Sequence, residues 1–151
     1  MKSDPHITYR RKPASLDLDA LESFAQTLQT CVVSRKPARK GDFHIRLTND
    51  EELRSLNQRF LNKDYPTDVL SFESSFDGSL GDIAISLDRA RAQAKEWEHS
   101  VEDEVCILML HGVLHLTGLD HEKDDGKMKR AELRWRKKLG LPASLIERAE
   151  R

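Results

Sequence analysis

Residues 105–121 read VCILMLHGVLHLTGLDH, and both the fold and the chemistry hang on this stretch. From Val105 to Leu116 almost every residue is apolar. A helix that is apolar all round must be covered on several sides, so the segment predicts a central helix around which the chain packs. Two histidines interrupt it. At ~3.6 residues per turn, His111 and His115 point to one side of the helix, about 40° apart, and both imidazoles can meet one ion. Gly118 lets the chain leave the helix, because glycine adopts the left-handed conformation without steric cost. That turn can bring His121 back as a third ligand. Three neutral imidazoles leave the fourth tetrahedral position for water, the arrangement of a catalytic zinc site, although nickel or copper suits the same donors.

A lone helical histidine is usually a packed or hydrogen-bonded side chain. Two imidazoles on a buried apolar helix nevertheless need partners for their nitrogens, and a metal supplies them. The spacing matches the zinc-protease pattern H-E-x-x-H-x-x-G-x-x-H, with one difference. The glutamate that serves there as general base is replaced by Gly112. The scaffold for a metal is present and the peptide-cleaving base is missing. A glycine inside a helix also costs roughly 1 kcal/mol relative to alanine, so Gly112 predicts another element packed tightly against that position. Asp120, beside His121, is an alternative base, although such a residue is more often an acceptor behind a ligand or a cap for the next turn.

Working outward, a short strand is expected within His6–Arg11 and a helix over Leu16–Thr30, capped by Ser15, with Leu18, Leu21, Ala25 and Leu28 on its apolar face. Ser34–Gly41 is a basic loop. Phe43–Leu47 alternates as a half-buried strand. Residues 48–52, TNDEE, start a helix whose buried side carries Leu53, Leu56 and Phe60. Val69–Phe72 is a strand, and the turn pair Asp77-Gly78 leads to a hairpin partner at Ile83–Ile85. Ser86 or Asp88 starts a helix to about Glu98 with Ala90, Ala94 and Trp97 on one face, and Ser100–Asp103 forms a capping box. A last helix spans Asp125–Leu139, with Met128 and Trp135 inward and Gly140 as its stop. Strands and helices in this order predict an α+β domain, a small mixed four-stranded sheet covered by helices, with the metal-binding helix buried at its centre.

Composition narrows the function classes. The 151 residues suit one domain, residues 1–151, able to bury about 70% of the unfolded chain's surface. Charged residues make up 34% and the net charge is -1, so global attraction to nucleic acid or anionic membranes is excluded and any such binding needs a local patch. Candidate patches are Arg35, Lys36, Arg39 and Lys40, and Arg134, Arg136, Lys137 and Lys138; both are also ordinary solvated faces. The amino-terminal stretch lacks the apolar core of a signal peptide, and no apolar run approaches the ~20 residues of a spanning helix, so no membrane association is expected. Cys31 and Cys106 are isolated, which suits a reducing cytoplasm.

At residues 111–121, HGVLHLTGLDH, the chain closely resembles the YbeY family, bacterial metal-dependent endoribonucleases linked to ribosomal RNA maturation, whose signature is H-G-x-L-H-L-x-G-(Y/F)-D-H. Residues 66–72, PTDVLSF, and 80–83, LGDI, match two further family segments, as does Asn57 in a Leu-Asn pair. The resemblance covers about residues 43–135. It implies a zincin-like α+β fold, zinc on His111, His115 and His121, single-stranded ribosomal RNA as substrate, roles in rRNA maturation and ribosome quality control, and partners in the small ribosomal subunit or its assembly factors. The departures are Leu119, where an aromatic residue is usual, and Leu61, where the family carries an arginine lining the cleft near the metal. Arg59 is the nearest arginine; in a continuous helix a shift of two residues turns a side chain by ~200°. Lys63 offers a charge without the planar fork for phosphate. Arg59 and Lys63 are therefore the candidate catalytic cations beside the three histidines. The competing expectations are a metal-dependent hydrolase acting on another bond, such as an amide, and a ribosome assembly factor with weak or no cleavage.

Overall fold

The computed structural model describes residues 5–35, 41–61, 67–74, 78–119 and 125–143. In chain order the elements are β1 (Ile7–Tyr9), α1 (Leu18–Cys31) with a 3-10 turn at Val33–Arg35, β2 (Asp42–Thr48), α2 (Asp50–Leu61), β3 (Val69–Glu73), β4 (Ser79–Ser86), α3 (Leu87–Glu96), α4 (Val101–Leu116) and α5 (Lys127–Lys138). The strands form one sheet in the order β1-β2-β4-β3. β1, β2 and β4 run parallel, and β3 pairs antiparallel with β4. This is the expected α+β architecture with a mixed four-stranded sheet.

The two faces of the sheet are covered unequally. Alternation along β4 sends Ile83 and Ile85 into a large core with Phe43, Ile45 and Leu47 of β2, Leu21, Ala25 and Leu28 of α1, and most of α4. Ala84 points the other way and joins Leu70 and Leu53 of α2 in a small second cluster. Helix α4 packs against α1, α3, α5, β3 and β4, and every residue from Glu104 to Leu114 is buried. The expectation of a central apolar helix holds.

Several boundaries differ from the sequence reading, each for a local reason. α1 starts at Leu18, not Leu16, because Asp17 rather than Ser15 is its cap: the Asp17 carboxylate accepts from the Ala20 amide at 3.0 Å. Ser15 sits outside the helix at φ 54°. Thr48 ends β2 instead of opening α2, and Asn49 Oδ1 takes the capping role by accepting from the Glu52 amide at 2.9 Å. The inward face of α2 carries Leu53 and Asn57, whereas Phe60 is 60% exposed. The last turn of α2 runs past its apolar cover, and Phe60 meets the Phe72 ring edge-on, 5.4 Å between centroids. α3 stops at Glu96, and Glu98 turns the chain at φ 57°. Pro66, Asp77 and the basic residues Lys36, Arg39 and Lys40 lie outside the described residues.

Glycine matters where the helix layer meets the sheet. Ser79 pairs with Asp42 and Gly81 with Phe43, so Leu80 is an extra residue, a bulge that turns it toward the core. Gly81 follows at φ 149°, where a Cβ would lie 2.3 Å from the Phe72 carbonyl oxygen and 2.8 Å from Leu116 Cδ2.

One polar cluster anchors β1. The Glu22 carboxylate of α1 accepts from the amides of His6 (2.8 Å) and Ile7 (3.0 Å) and pairs with His6 Nδ1 at 2.9 Å. On the other side of the ring, His6 Nε2 meets Gln29 Oε1 at 3.1 Å. Burial pushes the Glu22 carboxyl up, but the His6 side chain and the two amides outweigh burial and hold it below its ordinary value of 4.5. A depressed carboxyl stabilises the fold above the unfolded-state pKa and loses that contribution as pH falls through the folded-state value. Glu22→Gln is therefore expected to lower the urea midpoint at pH 7. The gap to wild type should close as the pH drops below the ordinary carboxylate range; a gap that persists in acid would assign the loss to packing.

Candidate metal and catalytic site

Gly112 sets the rotation of α4. Its Cα faces the sheet so closely that a Cβ would come within 2.9 Å of Ile83 Cγ2 and 3.1 Å of Ser71 Oγ. The Ser71 hydroxyl donates to the Gly112 carbonyl at 3.3 Å. The tight packing expected at this glycine is present. With Gly112 against the sheet, His111 and His115 fall about 60–100° to one side of it, at ~100° per residue. That side faces α5.

The two imidazoles meet there. Their Nε2 atoms are 3.2 Å apart, and the rings are tilted 77° with centroids at 4.7 Å. On the far side of the first ring, His111 Nδ1 lies 2.9 Å from Glu132 Oε2 of α5. Glu132 is 1% exposed and His111 7%. A carboxylate only accepts, so Nδ1 carries the hydrogen and the Nε2 lone pair is turned toward His115. Two ligand nitrogens, each ~2.0–2.1 Å from a tetrahedral zinc, would lie about 3.3–3.4 Å apart. The observed separation fits that donor set. A carboxylate behind a ligating histidine also selects its tautomer and orientation. His115 remains partly open to solvent while His111 is enclosed. His121, the third expected ligand, and Asp120 lie outside the described residues; among the described residues no three His, Cys, Asp or Glu side chains gather as a metal site.

Arg59 and Leu61 are not brought to the histidines. α2 lies on the opposite face of the sheet and stays helical through Leu61, so Arg59 and Leu61 point in nearly opposite directions. The Arg59 guanidinium sits 5.4 Å over the Phe60 ring. Leu61 is 45% exposed and lines an open groove of about 720 Å³ with Leu56, Phe60 and Phe72. Lys63 lies outside the described residues. Thr67 and Asp68 act as a turn: Thr67 Oγ1 donates to Asp68 Oδ1 at 3.4 Å, and Gln93 of α3 donates to Asp68 Oδ2 at 3.3 Å. Cys106 is no nucleophile, because burial first, then Asp103 and Glu102, push its thiol up to about 12.

Sequence reasoning missed Glu132. Its signal was legible, since Met128, Ala131, Glu132 and Trp135 share the buried face of α5 and a carboxylate among apolar residues needs a partner.

The fold and site define a class: an α+β domain whose central helix presents two imidazoles to a common point, backed by a buried carboxylate. The family model for endoribonuclease YbeY matches residues 6–140. The endoribonuclease YbeY of Solibacter usitatus is 56% identical over 144 residues, covering 95% of this chain and 94% of that protein. Its counterpart in Koribacter versatilis is 54% identical over 109 residues, 72% of each chain, and that of Helicobacter pylori is 39% identical over 140 residues, 91% of this chain and 94% of the other. The solution structure of a Thermotoga maritima protein superposes with a TM-score of 0.58 at 26% identity, covering 85% of each chain. The chain belongs to the endoribonuclease YbeY family.

Gly112 yields a direct expectation. Gly112→Glu restores the protease-like pattern in sequence but drives a carboxylate into Ile83 and Ser71. Overpacking of this kind costs typically about 1–3 kcal/mol, and burying the charge adds to it. The variant should melt well below wild type and show no peptide hydrolysis; a stable variant that cleaves peptides would overturn the packing argument.

Proposed function

We propose that this protein is a metal-dependent, single-strand-specific endoribonuclease of ribosomal RNA maturation and ribosome quality control, built as one zincin-like hydrolase domain over residues 1–151. The single observation that carries the reading is the pair of Nε2 atoms at 3.2 Å with Glu132 behind one of them, in a chain of the endoribonuclease YbeY family. Zinc is the metal that suits imidazole donors in this geometry, with His121 completing the set. When bound, such a metal polarises a phosphoryl oxygen or lowers the pKa of a water.

The chain's own residues prepare the site. Glu132 keeps the proton on His111 Nδ1 and so leaves Nε2 free as a donor of electrons. Gly112 holds α4 against β3 and β4, which keeps the two rings, one helical turn apart, on the same side of the helix. No carboxylate follows His111, so the peptidase route lacks its base and the reading turns to phosphodiesters. The substrate class is single-stranded ribosomal RNA, met in the cytoplasm on the small ribosomal subunit or with its assembly factors. Among the described residues no helix is long and apolar enough to cross a membrane.

Leu61 favours a second reading, an assembly factor with weak or no cleavage. Leu61 is exposed on the face of the sheet away from the histidines, where an apolar side chain stabilises no developing charge.

Two measurements test these readings. Purified protein is expected to hold one zinc per chain and to cut a single-stranded oligoribonucleotide; His115→Ala should lose both, and Glu132→Gln should weaken zinc binding by ~10–100-fold while keeping the fold. Stoichiometric zinc without cleavage would favour the assembly factor, and no zinc at all would sink the metal site. In single-turnover assays with matched zinc, Leu61→Arg should cleave at the wild-type rate, because α2 carries this position to the face of the sheet away from the histidines; a gain approaching ~10²-fold, the scale of one positioned donor to a developing oxyanion, would show that the position reaches the site. Equal rates combined with a large loss in Arg59→Ala or Lys63→Ala would mean that the charge is already supplied.

A further inference from the structure

A second concave site lies at the opposite end of the sheet. Its volume is about 590 Å³, and it opens between the carboxyl ends of β1 and β2 and the start of α3. Arg10, Arg11 and Lys12, which follow β1, form one wall, and Asp88 and Arg91 of α3 form another. Ile83 touches Gly112, while Ser86, three residues further along β4, caps α3 beside the crevice. At ~3.3 Å per residue the crevice is therefore about 10 Å beyond the helix–sheet contact that positions the histidines.

Topology explains why a crevice forms here. The chain leaving β1 passes to α1 on the large-core face, and the chain leaving β2 passes to α2 on the other face. Adjacent parallel strands whose connections diverge leave a gap outside their carboxyl ends, the place where open α/β sheets bind ligands.

Its charge is out of keeping with the whole molecule. The chain as a whole carries -1, yet the lining holds four cationic side chains and one carboxylate. That carboxylate is engaged, since Asp88 Oδ2 accepts from the Asp50 amide at 3.0 Å. Arg10 stands 3.8 Å from Glu52. Arg11, Lys12 and Arg91 have no ion-pair or hydrogen-bond partner among the described residues. Like charges gathered from positions as distant as Lys12 and Arg91 repel one another unless an anion joins them.

The lining chemistry narrows the anion. Guanidinium forks match phosphate oxygens, and no aromatic ring in the wall offers a base a surface to stack on. At ~30 Å³ per water, the space also exceeds what one ion fills. We propose that this crevice grips the sugar–phosphate backbone of single-stranded RNA, outside the histidine site and without reading its bases. The inference rests on the RNA substrate proposed above and adds to it a second, remote contact.

The test is fluorescence anisotropy of a labelled single-stranded oligoribonucleotide on the zinc-loaded protein across a salt series, with cleavage followed in parallel. Lys12→Ala combined with Arg91→Ala removes two exposed cations from the crevice; Arg54→Ala combined with Lys127→Ala removes two exposed cations elsewhere, at α2 and at the start of α5. For two lost phosphate contacts, at ~0.7 each on single strands, the crevice pair should flatten the log–log salt slope by about 1.4 and weaken binding roughly 10–30-fold near 0.1 M salt. The control pair should do neither. Unchanged affinity and slope in the crevice pair, or an equal loss in the control, overturns the proposal. So does a wild-type Tm raised by inorganic phosphate, and abolished in the crevice pair, with RNA affinity unmoved; the site would then serve a small phosphate-bearing ligand. RNA held through the crevice but never cut would leave this inference standing and defeat the endoribonuclease reading; normal cutting with no role for the crevice would do the reverse.

Discussion

The contact between Gly112 and the sheet is the constraint from which the rest of the structure follows. α4 is apolar on nearly all sides, so burial alone would let it turn about its own axis with little change in free energy. A missing side chain removes that freedom. Only with Gly112 turned inward can the helix approach Ile83 and Ser71 as closely as it does, and every other position would add a Cβ to the gap. The direction of His111 and His115 is a consequence of this choice, as is the reach of His111 to Glu132. Gly81 plays the reciprocal part on the strand, where Leu116 Cδ2 and the Phe72 carbonyl occupy the space a side chain would need.

Around this contact, three histidine–carboxylate pairs with a buried member fasten neighbouring elements among the described residues. His6 and Glu22 tie β1 to α1, His99 and Glu104 tie the turn after α3 to α4 at 2.7 Å, and His111 and Glu132 tie α4 to α5 at 2.9 Å. Each has at least one nearly buried member. Removing one partner of such a pair leaves a desolvated polar group, which costs far more than the pair itself contributes. The pairs thus act as pins that fix which element lies beside which. Only the third of them adjoins the proposed chemistry, and there the same carboxylate that pins α5 also sets the tautomer of a candidate ligand.

Local patterns were legible where one residue type decides the outcome. Strict alternation in Phe43–Leu47 and the acids at 50–52 left little choice of element, and the structure follows them. Boundaries moved where two polar residues competed for one cap: Asp17 displaced Ser15, and Asn49 displaced Thr48. Periodicity places Phe60 in the interior because it counts apolar residues without regard to where the sheet ends beneath them. Arg10 and Arg11 fall in the stretch His6–Arg11 expected to hold a short strand, and nothing in the spacing of Arg10, Arg11 and Lys12 reveals that Arg91 faces them.

The sequence by itself determined the α+β class, the central buried helix, the shared face of His111 and His115 and the missing base at Gly112. These follow from periodicity, from the ~100° step of a helix and from the identity of a single residue, all local properties of the chain. The family followed too, because its signature is contiguous. Tertiary structure alone decided that Glu132 would stand behind His111, that α2 would carry Arg59 and Leu61 to the far face of the sheet, and that loops following two parallel strands would part to leave a cationic crevice. These are contacts between residues distant in sequence, selected by how layers pack and on which face each connection runs. Burial of a carboxylate or a cluster of like charges is a statement about surroundings, and surroundings exist only once the chain has folded.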